Sequence, residues 1–532
     1  MNHFMKKFIS CAFVFATLGI TACSGSSYTL PQEFSERKIE DSGKAAYTDT
    51  VNASGIERTA GGKQYLVSNG RPVMMLGAQL RTDFFIGLDG NTIDELDSYF
   101  QLAKTLNITM VQVPICWADI EPVRDGYTSE YVKRYIDYCK KYDIKLELLW
   151  YGSYMCGYSV VSYVPEYIAA DNVAYPAVSE FVMDGWLGRQ YCLYPGTTEL
   201  LGREKAALAY MMEEIWEYDR MNGGQCTVVG IQIENEPDML ITERAHEWGR
   251  NMTDAQVAAK QEELRPQMVY HLNELGKVVK ESKYSCYTRV NLTDRFDTPY
   301  FIETLTASEG IDMVGLDPYV NNLSAIKTWL DTLSVNGNYA HIAENGGEYA
   351  NNDQMELLTL MNGGGYEVFE VVTTPHEKLA DWTLRGVYNT DFTKKEQTQR
   401  LIDANKIYRN GWLDMTLCEK NEIAGFNLKS NGCMNTTFET AKLNGITVEW
   451  KTENGGIAYA VNRSGILTVA STRADTMVFS GDTVVYAEYG YYDLDGVWHK
   501  EGEQTVKDNT LTMEAATVYR LLTKAAAEEQ NE

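Results

Sequence analysis

The segment MVQVPICWADIEPVRDGYTSEYVKRYIDYCKKYDIKLELLWYG (110–152) reads as strand, helix, strand. MVQVPI (110–115) is a short, almost wholly apolar run, the pattern of a strand buried on both faces. SEYVKRYIDYCKKYD (129–143) has apolar residues at helical spacing, and IKLELLWYG (144–152) is another buried run. Two such strands joined by a crossover helix make a parallel βαβ unit. The alternation continues both ways. Upstream, KQYLVSNGRPVMMLGAQL (63–80) reads as a turn-linked pair whose second strand enters the fold, and TIDELDSYFQLAKTLN (92–107) is a helix with Thr92 as N-cap. Downstream, a long helix-rich stretch leads to CTVVGIQIENEP (226–237), the fourth strand, and residues 255–282 are helical. YSCYTRVNLTD (284–294), IDMVGLDPYV (311–320), NYAHIAENGGE (338–348) and GYEVFEVVT (365–373) supply strands five to eight. Eight strand–helix alternations predict a (β/α)8 TIM barrel over residues 61–415.

The texture changes after the helix KKEQTQRLIDANKIYRNGWLD (394–414). Residues 416–532 show short β-rich runs such as GITVEW, IAYAVN and ATVYRLLT, separated by turns, and predict an all-β, sandwich-like C-terminal domain. The tail KAAAEEQNE reads as frayed.

The 532 residues hold 47 Lys+Arg against 74 Asp+Glu, a net charge of −27 that argues against nucleic acid as a partner. Residues 2–22 combine Lys6 and Lys7 with an apolar run too short to span a bilayer, which is the pattern of a signal peptide. Ile20-Thr21-Ala22-Cys23 resembles a bacterial lipobox, with Cys23 the lipidated first mature residue and residues 23–60 a tether. That reading expects a protein anchored in the cell envelope. The remaining cysteines are scattered without a CxxC, so zinc is not expected; Cys156–Cys192 is a candidate disulfide, with buried free thiols the alternative. The chain has no GxGxxG after a strand, no Walker loop and no GxSxG elbow, and neither a cofactor nor a metal is expected. Nothing in it fixes an oligomeric state.

A barrel works at the C-terminal ends of its strands. Strand four ends Gln232-Ile233-Glu234-Asn235-Glu236-Pro237 and strand seven His341-Ile342-Ala343-Glu344-Asn345. Strands four and seven face each other across the mouth, so two carboxyls can flank one bond, as retaining glycosidases require. Glu234 alternates in pleat with Glu236, which points both towards the mouth and makes Glu234 a substrate-binding candidate and the competitor for the acid role. Glu348 is the competitor for nucleophile. Asn291 ends strand five and is placed to meet substrate polar groups. Trp117, Trp150, Tyr151 and Trp382 are candidate sugar platforms, because apolar pyranose faces pack on aromatic rings.

Asn-Glu-Pro ending strand four, Ala-Glu-Asn ending strand seven and Trp117–Pro122 resemble clan A of the glycoside hydrolases. NGRPVMMLGAQL (69–80), VPICWADIEPVRDGYT (113–128), LLWYGSYMCGYSVVSYVPEYIAADNVAYP (148–176) and GIQIENEP (230–237) bring the likeness nearest to beta-galactosidase families 35 and 42, in their bacterial lipoprotein branch. The resemblance implies Glu236 as acid/base, Asn235 on the sugar 2-hydroxyl, Glu344 as nucleophile and Tyr319 as its hydrogen-bond donor. The helper arginine common in the clan is missing from strand two, where Arg81 or Arg289 are the possible substitutes. Tyr154-Met155-Cys156-Gly157 departs from the Trp-Lys-Asn-Gly-like run of the beta-galactosidase relatives. The implied function is an exo-acting retaining β-glycosidase, beta-galactosidase-like, acting on a neutral carbohydrate. The alternatives are an endo-acting mannanase or glucanase and a non-catalytic glycan-binding lipoprotein.

Overall fold

Eight parallel strands close in chain order into a barrel. The protein is described by a computed structural model over residues 49–88, 92–156, 159–160, 163–185, 188–239, 253–294, 298–373, 385–426, 439–452, 455–463 and 465–529. The signal and lipidation expectations, Cys23 included, and Trp382 lie outside the described residues. The barrel strands are β1 (Leu76–Gln79), β2 (Met110–Cys116), β3 (Lys145–Met155), β4 (Val228–Asn235), β5 (Tyr287–Thr293), β6 (Met313–Asp317), β7 (His341–Gly346) and β8 (Gly365–Phe369). Each is followed by a helix: α1 (Asp97–Thr105), α2 (Glu130–Tyr142), α3 (Thr198–Met221), α4 (Asp254–Lys280), α5 (Thr298–Thr306), α6 (Leu323–Leu333), α7 (Asn352–Met361) and α8 (Thr398–Asn410). The strands are buried along almost their whole length, sheathed outside by helices and packed against side chains within.

The barrel floor is apolar, and the layer above it is charged. Met75, Met110, Val229, Tyr287 and Met313 close the bottom together with Leu66 and Tyr339. Above them Arg289 makes a two-pronged ion pair with Glu147, at 2.7 and 2.8 Å, and Gln112 donates to the same carboxylate at 3.0 Å. His341 Nε2 lies 2.9 Å from Glu367 Oε2. Burial pushes the Glu367 carboxyl well above its usual range and the His341 imidazole well below. Both shifts disfavour the charged forms, as the desolvation penalty of a second buried ion pair requires.

The chain departs from the sequence expectations at several places. Ser54–Arg58, inside the expected tether, pairs with Gln64–Ser68, and Val51–Asn52 runs parallel to Tyr284–Ser285. The apolar side chains of Ile56, Leu66 and Val73 close this ribbon over the floor, which a polar-looking sequence conceals. The stretch expected to be helix-rich before β4 contains an antiparallel patch, Ser159–Val160 with Ala177–Gly185 and Gly188–Leu193, before the 24 residues of α3. The helix expected over 394–414 is two, α8 and α9 (Trp412–Leu417), parted at Gly411. Cys156 and Cys192 are free thiols, so the candidate disulfide does not form.

The C-terminal strands are β9 (Ile423–Phe426), β10 (Thr440–Leu443), β11 (Ile446–Lys451), β12 (Ala458–Arg463), β13 (Ile466–Ser471), β14 (Thr476–Ser480), β15 (Val484–Tyr492), β16 (Trp498–Glu503), β17 (Thr510–Thr512) and β18 (Thr517–Thr523). They form a six-stranded sheet in the order β9-β12-β13-β18-β15-β16 and a four-stranded sheet in the order β10-β11-β14-β17. Phe426, Leu467, Val469 and Leu521 of the first face Val448, Trp450, Met477 and Phe479 of the second, which makes a β-sandwich core. The tail expected to fray begins as a helix, Lys524–Glu529, because Ala526 and Ala527 pack on Ile466 and Leu522.

Candidate active site

The strand ends of β4 to β8 and β1 bring one group of polar side chains to the barrel mouth. Glu344 leaves β7 with 5% of its surface exposed. Tyr319 Oη donates to its Oε2 at 2.5 Å and Gln79 Nε2, from β1, to its Oε1 at 3.0 Å. Burial raises the Glu344 carboxyl above its ordinary value; the Tyr319 hydroxyl, the Arg81 charge and the Gln79 amide oppose that shift. Two donors on separate oxygens also fix the carboxylate plane.

Glu236 sits half-buried at the end of β4. Its backbone N–H donates to Asn291 Oδ1 at 3.2 Å, and the Cys156 thiol hydrogen-bonds its carboxyl. Asn291 ties three strand ends together. Its Nδ2 donates to Asn235 Oδ1 at 3.0 Å and to Asp317 Oδ2 at 2.5 Å. Asn235 Oδ1 also accepts from Gln232 Nε2 at 3.1 Å. Its Nδ2 meets only the Cys156 sulfur, at 3.7 Å, among the described residues. Asn235 therefore has N–H capacity to offer a ligand, whereas the Asn291 side chain is consumed by the protein.

Asp317 is a third carboxyl in the same place. It is 2% exposed, ends β6, and burial followed by the charges of Glu344 and Glu236 drives it well above the usual carboxylate range. Both neighbouring carboxyls thus disfavour its ionised form, while the Arg289 charge and the Asn291 amide oppose the shift. Arg81 follows β1, clamped on Asp83 at 2.9 and 2.7 Å and lying 3.5 Å over the Phe84 ring. Arg385 lies over the Tyr319 ring at 4.4 Å and donates to the Tyr349 hydroxyl at 2.9 Å. The positive charges of Arg81 and of Arg289 below act on Glu344, which favours its ionised form.

A family model described as a domain of unknown function (DUF4978) matches residues 268–433. No curated protein matches the chain. Among solved structures the chain is similar to an exo-beta-1,4-mannosidase from Opitutaceae bacterium strain TAV5, at 14% identity and a TM-score of 0.45 over 66% of this chain and 61% of that one. It is similar to a family 39 glycoside hydrolase from the gut symbiont Bacteroides cellulosilyticus WH2, at 13% identity and a TM-score of 0.42 over 87% of each. It is also similar to a beta-galactosidase from the psychrophilic Marinomonas ef1, at 12% identity and a TM-score of 0.44 over 63% of this chain and 59% of that one. The chain thus spans less than two thirds of the mannosidase and of the beta-galactosidase.

Of the residues singled out from sequence, Glu236, Glu344, Asn235, Asn291 and Tyr319 converge on the mouth. Glu234 does not. It adopts a left-handed backbone, φ 59°, which breaks the strand alternation and turns its carboxyl outward onto the backbone N–H groups of Gly152, Ser153 and Tyr154. Trp150 also faces out, its Nε1 donating to Glu204 of α3 at 2.8 Å, and Trp117 Nε1 donates to Glu121 at 3.1 Å. Both indoles are fully buried, so neither presents a face to a sugar. Tyr151 is 1% exposed and stacks on Tyr163. Of the two substitute arginines, Arg81 stands at the mouth and Arg289 lies in the charged layer below. Glu348 lies past the end of β7 with its backbone N–H on the Arg385 carbonyl at 3.1 Å. Sequence reasoning passed over Gln79, Cys156 and Asp317 as members of the site. Asp317 was within reach, since it is a strand-end acid preceding Pro318-Tyr319.

Proposed function

We propose that the protein is a retaining β-glycosidase in which Glu344 is the nucleophile and Glu236 the acid/base. The observation that carries this is the asymmetry of the two carboxyls at facing strand ends. Glu344 is buried and pinned by Tyr319 and Gln79, and Glu236 is half-buried on a backbone locked by Asn291. Glu344 Oε attacks the anomeric carbon as Glu236 gives its proton to the departing oxygen. The glycosyl–enzyme ester is then hydrolysed by a water whose proton returns to Glu236, so the configuration is inverted twice and retained overall. Burial and the charges of Glu344 and Glu236 disfavour ionisation of Asp317, which limits a third repelling charge beside the pair. In this reading the Asn235 amide, whose Nδ2 meets only the Cys156 sulfur among the described residues, donates to the sugar 2-hydroxyl. The motif resemblance supports an exo-acting, beta-galactosidase-like enzyme on a neutral carbohydrate, exported and anchored through Cys23.

The test is hydrolysis of a panel of aryl β-glycosides (galactoside, glucoside, mannoside, fucoside, xyloside) by wild type, Glu236→Gln and Glu344→Gln. One sugar is expected to be cleaved, with kcat in Glu344→Gln reduced by roughly 10⁴-fold or more. Azide is expected to restore turnover in a small-side-chain variant at 344, with inverted product. Silence on the panel together with cleavage of oligosaccharides would favour an endo-glycanase. Binding without cleavage of either would replace the enzyme reading with a glycan-binding one.

A further inference from the structure

Behind the ends of β3 and β4 lies a buried cluster that the proposed chemistry does not use. Glu204 of α3, Glu234 of β4 and His271 of α4 are all fully buried, with their polar atoms within 4.8 Å of one another. Glu204 Oε1 accepts from Trp150 Nε1 at 2.8 Å, and its Oε2 accepts from Ser153 Oγ at 2.5 Å and lies 3.1 Å from His271 Nε2. The Glu234 oxygens take three consecutive backbone N–H groups, from Gly152, Ser153 and Tyr154, at 3.0, 2.8 and 3.0 Å. A metal does not suit this donor set. Every carboxylate oxygen already points at an N–H or O–H hydrogen, and a cation between them would meet those hydrogens.

What the cluster grips is the backbone that leads into the acid/base. Glu234 and Glu236 are both left-handed, φ 59° and 44°, with Asn235 between them. For residues other than glycine, such conformations cost on the order of 1–3 kcal/mol each and persist only where the surroundings enforce them. Glu234 is enforced by its three backbone donors and by a hydrogen bond to Glu204. The same β3 segment continues to Cys156, whose N–H donates to the Asn235 carbonyl at 2.8 Å and whose thiol meets Asn235 Nδ2 and Glu236. The fit is close at Gly152, where a Cβ would fall 1.9 Å from Glu204 Oε1. The electrostatics agree: burial and then the Glu204 charge push Glu234 well up, whereas burial of Glu204 is outweighed by His271 and Ser153, which bring it down to about 2. One proton shared between the carboxyls joins them instead of letting them repel.

We propose that Glu204, Glu234 and His271 are a positioning unit that holds the Asn235–Glu236 backbone in its left-handed path and so aims the Glu236 carboxyl at the glycosidic oxygen. The inference rests on the reading of Glu236 as the acid, and its test separates the two. An aryl glycoside with a phenolate leaving group needs protonation, whereas dinitrophenolate departs without it. Glu204→Gln is expected to slow the phenyl glycoside about a hundredfold, the scale of general-acid catalysis, while the dinitrophenyl glycoside loses less than about threefold in its glycosylation step. Ser153→Ala, which removes one hydroxyl and is the milder change, is expected to shift the same ratio in the same direction. Equal losses on both substrates in both variants would mean a structural role only and would overturn the proposal.

A second readout needs no activity. Cys156 is the most accessible thiol among the described residues, and the clamp holds it against Asn235. Its alkylation by iodoacetamide, mapped by mass spectrometry on the folded protein, is expected to rise about tenfold in Glu204→Gln, the population shift that a loss of roughly 1.4 kcal/mol of clamping produces. Unchanged alkylation in both variants overturns the positioning role. If the wild type cleaves neither glycoside while alkylation still rises, the hydrolase reading fails and the clamp stands.

Discussion

At Glu344 the two effects that set its charge oppose each other, and Tyr319 decides how far burial prevails. The tyrosine hydroxyl donates to the ionised carboxylate, so it favours that form and holds down a pKa that burial pushes above the ordinary 4.5. Removing the donor must therefore move the pKa up. In the proposed mechanism only the ionised form attacks, so Tyr319→Phe is expected to shift the acid limb of kcat/KM to higher pH and to lower the plateau by about 10- to 100-fold. An unchanged acid limb would show that Tyr319 does not act on Glu344. The pair of carboxyls was legible because strand-end position and residue type coincide at Glu236 and Glu344. Glu234 was misplaced by the same logic, since pleat alternation assumes an extended backbone and fails where φ turns positive. Glu204 was out of reach: in GREKAA it looks like a solvated helix residue, and only the packing of α3 on β3 buries it.

Among elements, α4 shows how closely a barrel helix is registered against its neighbours. Gly276 in α4 and Gly310 before β6 are pressed together. A Cβ at 276 would lie 2.0 Å from the Gly310 carbonyl oxygen, and one at 310 would lie 2.1 Å from the Asn273 carbonyl oxygen. Both obstacles are backbone, which cannot swing aside. Gly276→Ala is expected to destabilise the fold by about 2–3 kcal/mol despite alanine's better helix propensity. Gly202→Ala in α3, where nothing lies within 4 Å, is expected to stabilise it by about 1 kcal/mol. Thermal melts of the two variants shifting the same way would refute the close-packing account. The strands were readable because buried parallel strands are continuous apolar runs, whereas AVSEFVMDGWLGRQYCL (177–193) groups its apolar residues in twos and threes and lacks the period-two alternation that marks a half-exposed strand. The boundary between α8 and α9 at Gly411 was hidden because its cause is distant. A Cβ there would fall 1.9 Å from the Tyr459 hydroxyl of the β-sandwich.

That contact belongs to the largest scale, because the six-stranded sheet is buried on both faces. One face meets the four-stranded sheet, and the other, with Tyr459, Val461, Ala470, Tyr492 and Val518, joins the barrel's own core against α8 and α9. Polar anchors fix the register. Tyr459 Oη donates to the Ile407 carbonyl at 3.1 Å and Trp412 Nε1 to the Asp493 carbonyl at 2.9 Å. Asp414 Oδ2 accepts both the Thr468 hydroxyl at 2.6 Å and the Tyr492 hydroxyl at 3.0 Å. The N-terminal ribbon is tied to the same region, with Lys63 Nζ on the Met415 carbonyl at 2.6 Å and Glu419 accepting Gly61 N at 2.8 Å. An interface that is both apolar and hydrogen-bonded in its interior resembles a domain core more than a hinge. The barrel and the sandwich are therefore expected to unfold in a single calorimetric transition. Asp414→Ala, which strands two buried hydroxyls, is expected to lower the stability of the whole molecule by about 2–4 kcal/mol while keeping that single transition. A chain ended after Cys418 would expose Ile407, Tyr408, Trp412 and Met415 and is expected to aggregate. Two separate transitions in the wild type, with the Asp414→Ala loss confined to one of them, would make the sandwich an appended module instead of the barrel's outer wall.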